Sequence, residues 1–348
     1  MSQDRLISEI REQPSVLDGL LRSGRSAVQA LAEEVLRRQI AHVVIVARGT
    51  SDHSATYAKY QLGIAHGLSV SLAAPSITTL YDASLRLTPD TLVLGISQSG
   101  MSPDIVAVVA EARKQGVLTA ALVNSTESRL AGVAEWVVPL GAGPEQSVAA
   151  TKSYTAQLMA LAMLSALLDQ DSDRLAQLAA VPEAVRRALD LEEGIARRAE
   201  RYRYMEHCAV ISRGYNYPTA LEIALKLKEL TYTATTAYSA ADFLHGPVAV
   251  VREGYPIAVV ACQGRAWRSL QAFFGAMHER GAELITITDD EQLAQESAFG
   301  LFLPQTLPEW LSPIVAVIPG QLLAYHLARA RGIDPEKPRG LAKVTETR

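Results

Sequence analysis

Hydrophobic positions along the chain fall into short continuous runs separated by stretches with helical spacing. Val43-Val44-Ile45-Val46-Ala47, Ser69-Val70-Ser71-Leu72, Leu92-Val93-Leu94-Gly95-Ile96, Leu118 to Val123 and Trp136-Val137-Val138 read as strands. Helices are predicted between them at about His53 to His66 and Pro103 to Gln115. Residues 152–204 change character. They are rich in Ala, Leu, Arg and Glu, carry no strand signal, and read as helices broken near Asp171-Ser172-Asp173 and Pro182. The alternation then restarts, with strands at Ala209 to Ser212, Ile257 to Ala261 and Glu283 to Ile287. Helices follow at about Pro218 to Leu230, Trp267 to Arg280 and Leu311 to Arg331. Residues 2–38 read as helices interrupted near Pro14 and Ser23-Gly24. Apolar strands alternating with helices predict an α/β fold, with parallel sheets covered on both faces.

The two halves echo each other. Strand, Arg-Gly, polar turn and helix occur at 43–66 and again at 209–230. The turn after Leu92–Ile96 is matched, weakly, by the turn after Ile257–Ala261. Two copies indicate duplicated domains rather than a solenoid. The expected division is N-terminal helices (1–38), a first domain (39–170), a helical connector (171–204), a second domain (205–331) and a polar tail (332–348).

Composition narrows the class. Of 348 residues, 49% are hydrophobic but only 6% aromatic, so Leu, Val, Ile and Ala should build the core. A net charge of -4 offers no basic surface for nucleic acid. Cys208 and Cys262 lie far apart in apolar runs and read as buried free thiols, and no histidine pair has zinc-site spacing. No apolar run approaches a membrane span, and the charged N-terminus lacks a signal region. A cytoplasmic protein without metal or redox cofactor is expected.

Candidate chemistry gathers at a few places. Ser97-Gln98-Ser99-Gly100-Met101-Ser102 joins an apolar strand to a helix opened by Pro103, with Ser102 as N-cap. Hydroxyls, an amide and free backbone N–H groups at a helix N-terminus suit a phosphate. The plainer alternative is an ordinary capped turn, since neither G-x-x-x-x-G-K-[ST] nor G-x-G-x-x-G is present. Glu222, Lys226 and Glu229 share one helical stripe, as a surface ion pair or as a general base beside an oxyanion-holding lysine. His245 precedes the Gly246-Pro247 breaker. Pro144 to Lys152 is a small-residue turn in which Ser147 or Thr151 is expected to cap the following helix. Gly340-Leu341-Ala342-Lys343 lies in the tail.

Taken together, these motifs resemble those of the sugar isomerase (SIS) family. The chain is similar to the isomerase half of glucosamine-6-phosphate synthase and to stand-alone SIS-type glucosamine-6-phosphate deaminases. The match runs from Glu9-Ile10-Arg11-Glu12-Gln13-Pro14 through Gly49-Thr50-Ser51, Ser97–Gly100, Val148-Ala149 with Thr151-Lys152, Ala220 to Glu229 and His245-Gly246-Pro247 to Pro338–Lys343. The resemblance implies two SIS domains, each a flavodoxin-like parallel sheet between helices. It implies that Ser51, Ser97, Gln98, Ser99 and Ser102 hold a sugar phosphate. Thr50, Val148 with Ala149, and Ala342 would contact the sugar. Glu229 would move the proton between the first and second carbons, Lys226 would assist at the neighbouring oxygen, and Glu222 would orient it. His245 would open the ring, reaching in from the partner of a homodimer. Lys343 matches the lysine that forms a Schiff base with the ketose, on a tail closing the site.

There are departures. No glutaminase domain or N-terminal cysteine nucleophile is seen, so ammonia is not expected to come from glutamine. Arg48 and Ala150 stand where the synthase typically has cysteine and serine. Arg48 to His53 looks more like the deaminases. The expected function is conversion of glucosamine-6-phosphate to fructose-6-phosphate and ammonia. The alternatives are an isomerase, deglycase or deaminase for another phosphosugar and, from another class, a non-catalytic sugar-phosphate sensor.

Overall fold

A computed structural model describes residues 4–343. The chain divides into two compact units. Among the described residues, one comprises 15–145, 152–179 and 342–343, and the other 4–14, 146–151 and 180–341.

The first unit contains β1 (His42–Val46), β2 (Ser69–Leu72), β3 (Thr91–Ser97), β4 (Leu118–Val123) and β5 (Trp136–Pro139). They form one sheet of order β2-β1-β3-β4-β5, parallel throughout. β3 and β4 are buried at every position, as expected of central strands covered on both sides. One face packs Val93, Ala121 and Val123 against Ile105, Val109 and Leu130. The Lys152–Leu168 helix is buried over nearly its whole length and packs on the Thr50–His66 helix. An all-round apolar helix of this kind belongs inside a core.

The second unit repeats the plan with β6 (His207–Ser212), β7 (Ala234–Ser239), β8 (Pro256–Ala261), β9 (Glu283–Thr288) and β10 (Phe299–Phe302). Their order is β10-β9-β8-β6-β7, again all parallel. Read from β7, this is the same 2-1-3-4-5 order, and it is the flavodoxin-like arrangement. β7 and β10 are missing from the pattern of apolar runs. Both are edge strands, and β7 (Ala-Thr-Thr-Ala-Tyr-Ser) is small, polar and only partly covered.

Three local expectations are corrected. Pro14 does not end the first helix, which runs Arg5–Gly19 through it. Proline leaves the carbonyl four residues earlier without its helical donor. That carbonyl, on Ile10, instead accepts from Gln13 Nε2 at 2.9 Å. At Ser23-Gly24 the chain stays helical as a single wide turn, Leu20–Gly24, before the Arg25–Arg37 helix. Ser102 occupies the N-cap position of the Pro103–Lys114 helix, but its side chain makes no capping bond.

Candidate functional site

In the first sheet the chain leaves β1 towards β2 and leaves β3 in the opposite direction, towards β4. The carboxyl ends of β1 and β3 therefore flank a topological switch point, where open α/β sheets bind ligands. The turns 48–52 and 97–102 lie there. Each leads into a helix N-terminus, of Thr50–His66 and Pro103–Lys114. The two partial positive ends suit an anion.

The turn hydroxyls are held by donors. Ser97 Oγ accepts from Gly100 N at 3.0 Å, and Ser99 Oγ from Met101 N at 3.3 Å. Ser51 Oγ accepts from Gln157 Nε2 at 3.0 Å. A hydroxyl that accepts from a fixed donor has its own proton to give elsewhere. Gly100 allows the turn: its φ is +64°, and a Cβ there would strike the Ser128 side chain. Arg48 Nε donates to buried Asp104 Oδ2 at 2.7 Å, tying the two turns together. Burial also raises the Asp52 carboxyl pKa, with His53 and Arg48 opposing it.

The second sheet's corresponding turn is different. Arg265 N and Ala266 N donate to the Glu309 carboxylate at 2.7 and 3.2 Å, and Gln263 N donates to Asp289. A side chain of the protein itself takes these donors. The weak echo between the two turns does not extend to a second open anion site.

The second unit carries the Glu222–Lys226–Glu229 stripe. Glu222 and Lys226 on the Tyr217–Thr231 helix are 0% and 1% exposed, which rules out a surface ion pair. Lys226 Nζ lies 3.4 Å from Glu222 and 2.6 Å from Glu229. Burial works to lower the Lys226 pKa, but Glu222 and then Glu229 outweigh it, and the net shift is upward. The group is an ammonium at neutral pH, a donor rather than a base. Glu229 is the carboxylate left open, at 21% exposure.

His245 is carried separately, on the exposed end of the short Ala240–Leu244 helix, beside exposed Leu244 and before Gly246. Val148 is half-buried and Ala149 buried, in a loop that the sequence does not show to be braced. Buried Glu9 accepts from Gln146 N at 2.5 Å and from Ser147 N at 3.3 Å. Ser147 Oγ is buried without a hydrogen-bond partner and does not cap the next helix. Thr50 is half-buried and Ala342 exposed. Lys343 Nζ donates to Glu145 at 3.3 Å, and that carboxylate also accepts from Ser153 N and Oγ.

Asp104, Gln157, Glu145 and the role of Glu9 are not legible from local spacing, because each acts on a residue distant in sequence. A hydrolase-like constellation also occurs: Ser165 Oγ is 2.8 Å from His66 Nε2, and His66 Nδ1 is 3.2 Å from Asp169. Ser165 is fully buried and also accepts from Gln61, so it joins helices and offers no nucleophile.

Comparison with known proteins bears on the family and the fold. The SIS domain profile matches residues 36–167 and again 203–331. Glutamine–fructose-6-phosphate aminotransferase (isomerizing) of Thermococcus kodakarensis is 36% identical over 347 residues, covering 97% of this chain and 57% of that protein. The chain thus spans little more than half the length of such curated relatives. The C-terminal domain of glucosamine-fructose-6-phosphate aminotransferase from Francisella tularensis superposes with a TM-score of 0.84 at 28% identity, covering 97% of this chain and 98% of that one. A Silicibacter pomeroyi DSS-3 chain, provisionally described as a phosphosugar isomerase, gives 0.86 at 33% identity, covering 96% and 100%. With the domain matched twice, and each match holding one of the two parallel sheets, the chain belongs to the SIS domain family as a double-domain member related to the isomerase half of glucosamine-fructose-6-phosphate aminotransferase.

Proposed function

We propose that the protein is an amino-sugar phosphate deaminase-isomerase, converting glucosamine-6-phosphate and water to fructose-6-phosphate and ammonia. The observation that carries this reading is the buried Glu222–Lys226–Glu229 group, with one carboxylate open and a lysine held as its ammonium. A 1,2-proton shift needs a base at carbon and a fixed donor at the neighbouring oxygen. The turn of 97–102, at a helix N-terminus, is suited to hold the sugar phosphate.

His245 opens the sugar ring. Its exposed position beside Leu244 (50% exposed) and near Val250 (53% exposed) favours service to a second copy of the chain, in a homodimer. Glu229 takes the proton from the second carbon and returns it to the first, while Lys226 donates to the oxygen. The resulting imine at the second carbon adds water and expels ammonia. Lys343 forms a Schiff base with the open ketose, releasing water. No step requires a metal or redox cofactor.

The test is incubation with glucosamine-6-phosphate, following ammonia and fructose-6-phosphate. Glu229→Gln is expected to lose turnover while retaining sugar-phosphate binding. Turnover on a glycated amino-acid phosphate, with none on glucosamine-6-phosphate, would overturn the substrate. A second reading, the same steps run towards glucosamine-6-phosphate, is favoured by the names of the curated relatives. Formation of glucosamine-6-phosphate from fructose-6-phosphate and ammonium at the faster rate would select it. Sedimentation that finds an active monomer would remove the shared-site role of His245.

A further inference from the structure

The catalytic-type helix Tyr217–Thr231 ends in an unusual way. The residue after it, Tyr232, sits in the left-handed region at φ +58° and ψ +19°. That position commonly falls to glycine, because a side chain there costs free energy. A tyrosine held there calls for a compensating role, and the structure shows what its side chain does.

Tyr232 holds the C-terminal tail in two ways. Its phenol oxygen accepts from Arg339 N at 2.7 Å. The Arg339 guanidinium lies 4.6 Å from its ring centroid, within cation–π range. One side chain therefore takes the backbone and the charged end of the same tail residue. Upstream, Glu336 accepts from Leu6 N at 2.8 Å and holds the tail a second time. Downstream the chain runs four residues to Lys343, whose ammonium meets buried Glu145. Four residues reach at most about 14 Å when extended, so a fixed Arg339 restricts where Lys343 can go.

We propose that Tyr232 is a positioning residue for Lys343, clamping the tail at Arg339 so that the four residues beyond it carry the lysine within a limited radius. The inference rests on the proposed function, in which Lys343 condenses with the open-chain ketose. In that step the amine nitrogen bonds to the carbonyl carbon, the oxygen leaves as water, and no oxidant is needed. The clamp sits at the left-handed residue that ends the helix, so the backbone cost and the tail contact fall on the same residue.

The strain makes the test discriminating. Tyr232→Gly relieves the left-handed backbone and removes the clamp, whereas Tyr232→Phe keeps the ring and removes only the acceptor. Tyr232→Gly should match or exceed wild type in Tm while losing about tenfold or more in kcat/KM. Tyr232→Phe should fall between them, retaining the ring–guanidinium contact. A residue that merely stabilised the fold would lose Tm and activity together. Two further readouts on the full-length chain complete the test. Trypsin should cut the tail after Arg339 or Lys343 faster in Tyr232→Gly. Borohydride trapping with fructose-6-phosphate should form the reduced Lys343 adduct more slowly in the variant. Equal tail cleavage and equal kcat/KM in wild type and Tyr232→Gly would overturn the clamp. Absence of any adduct in wild type, with faster tail cleavage in the variant, would instead remove the Schiff-base part of the proposed function and leave the clamp standing.

Discussion

Replacing Lys226 by methionine tests the central group most directly, because length is kept and only the ammonium is lost. At 3.4 Å from Glu222 and 2.6 Å from Glu229, and with an effective dielectric constant near 20, the two attractions come to about 5 and 6 kcal/mol. The cost of burying the charges offsets much of this. What remains on removing one member of a buried pair is about 3–5 kcal/mol. The loss should fall mainly on Glu222, which is 0% exposed, since Glu229 is open enough to be met by water. For a folding unit of this size, the melting transition should drop by about 6–20 °C in calorimetry. Turnover should fall by about 10²–10³-fold through loss of the donor at the developing oxyanion. The double variant Glu222→Gln/Lys226→Met, which leaves no orphaned buried charge on Glu222, should regain most of the stability but none of the turnover. If Lys226→Met melted within about 1 kcal/mol of wild type, the claim that this pair is sealed from water would fail. Full activity would refute the lysine's role.

Gly100→Ala is expected to weaken inorganic phosphate binding and to cost about 1–3 kcal/mol in denaturant unfolding, because its φ is +64° and the new methyl would strike Ser128. Glu9→Gln should raise KM for the sugar phosphate by weakening charge-assisted bonds to Gln146 and Ser147, worth about 1.5–3 kcal/mol, and an unchanged KM would show that the 146–151 loop needs no brace. Burial pushes the His66 pKa down, with Arg174 also lowering it and Asp169 and the Ser165 contact opposing. The unfolded chain therefore protonates first as pH falls through about 6.5, and this contribution to stability, present above that pH, is lost below it. Urea midpoints should decline between about pH 7 and pH 5, and His66→Gln should flatten the decline.

Much of the fold was legible because the chemistry of parallel sheets is local. Strands buried on both faces must be continuous apolar runs, and β1, β3, β4, β6, β8 and β9 announce themselves this way. Edge strands have no such obligation, which is why the small, polar β7 was silent. Pro14 misled for a similar reason. The rule that proline breaks a helix concerns an unpaired carbonyl, and here Gln13 supplies the missing donor, itself bonded to Gln321.

The serine turn, the Glu222–Lys226–Glu229 stripe, His245 and Lys343 could all be named from residue types and order. Their physical character could not. Spacing on a helix places two carboxylates beside a lysine whether the stripe faces water or core, and only packing decides which. In the Tyr217–Thr231 helix the Ser312–Ala330 helix and the strands β6 and β7 cover it, so a stripe that reads as a weak surface pair becomes a buried charge cluster with a raised lysine pKa. The same holds for the two turns. Their sequences echo each other, yet one is braced by serine hydroxyls and the other is filled by Glu309, brought from 43 residues beyond Ala266 by the course of the chain. Sequence determined which groups the protein has and in what order. Tertiary structure decided which of them lose water, and for charges and hydrogen bonds that is what sets their strength.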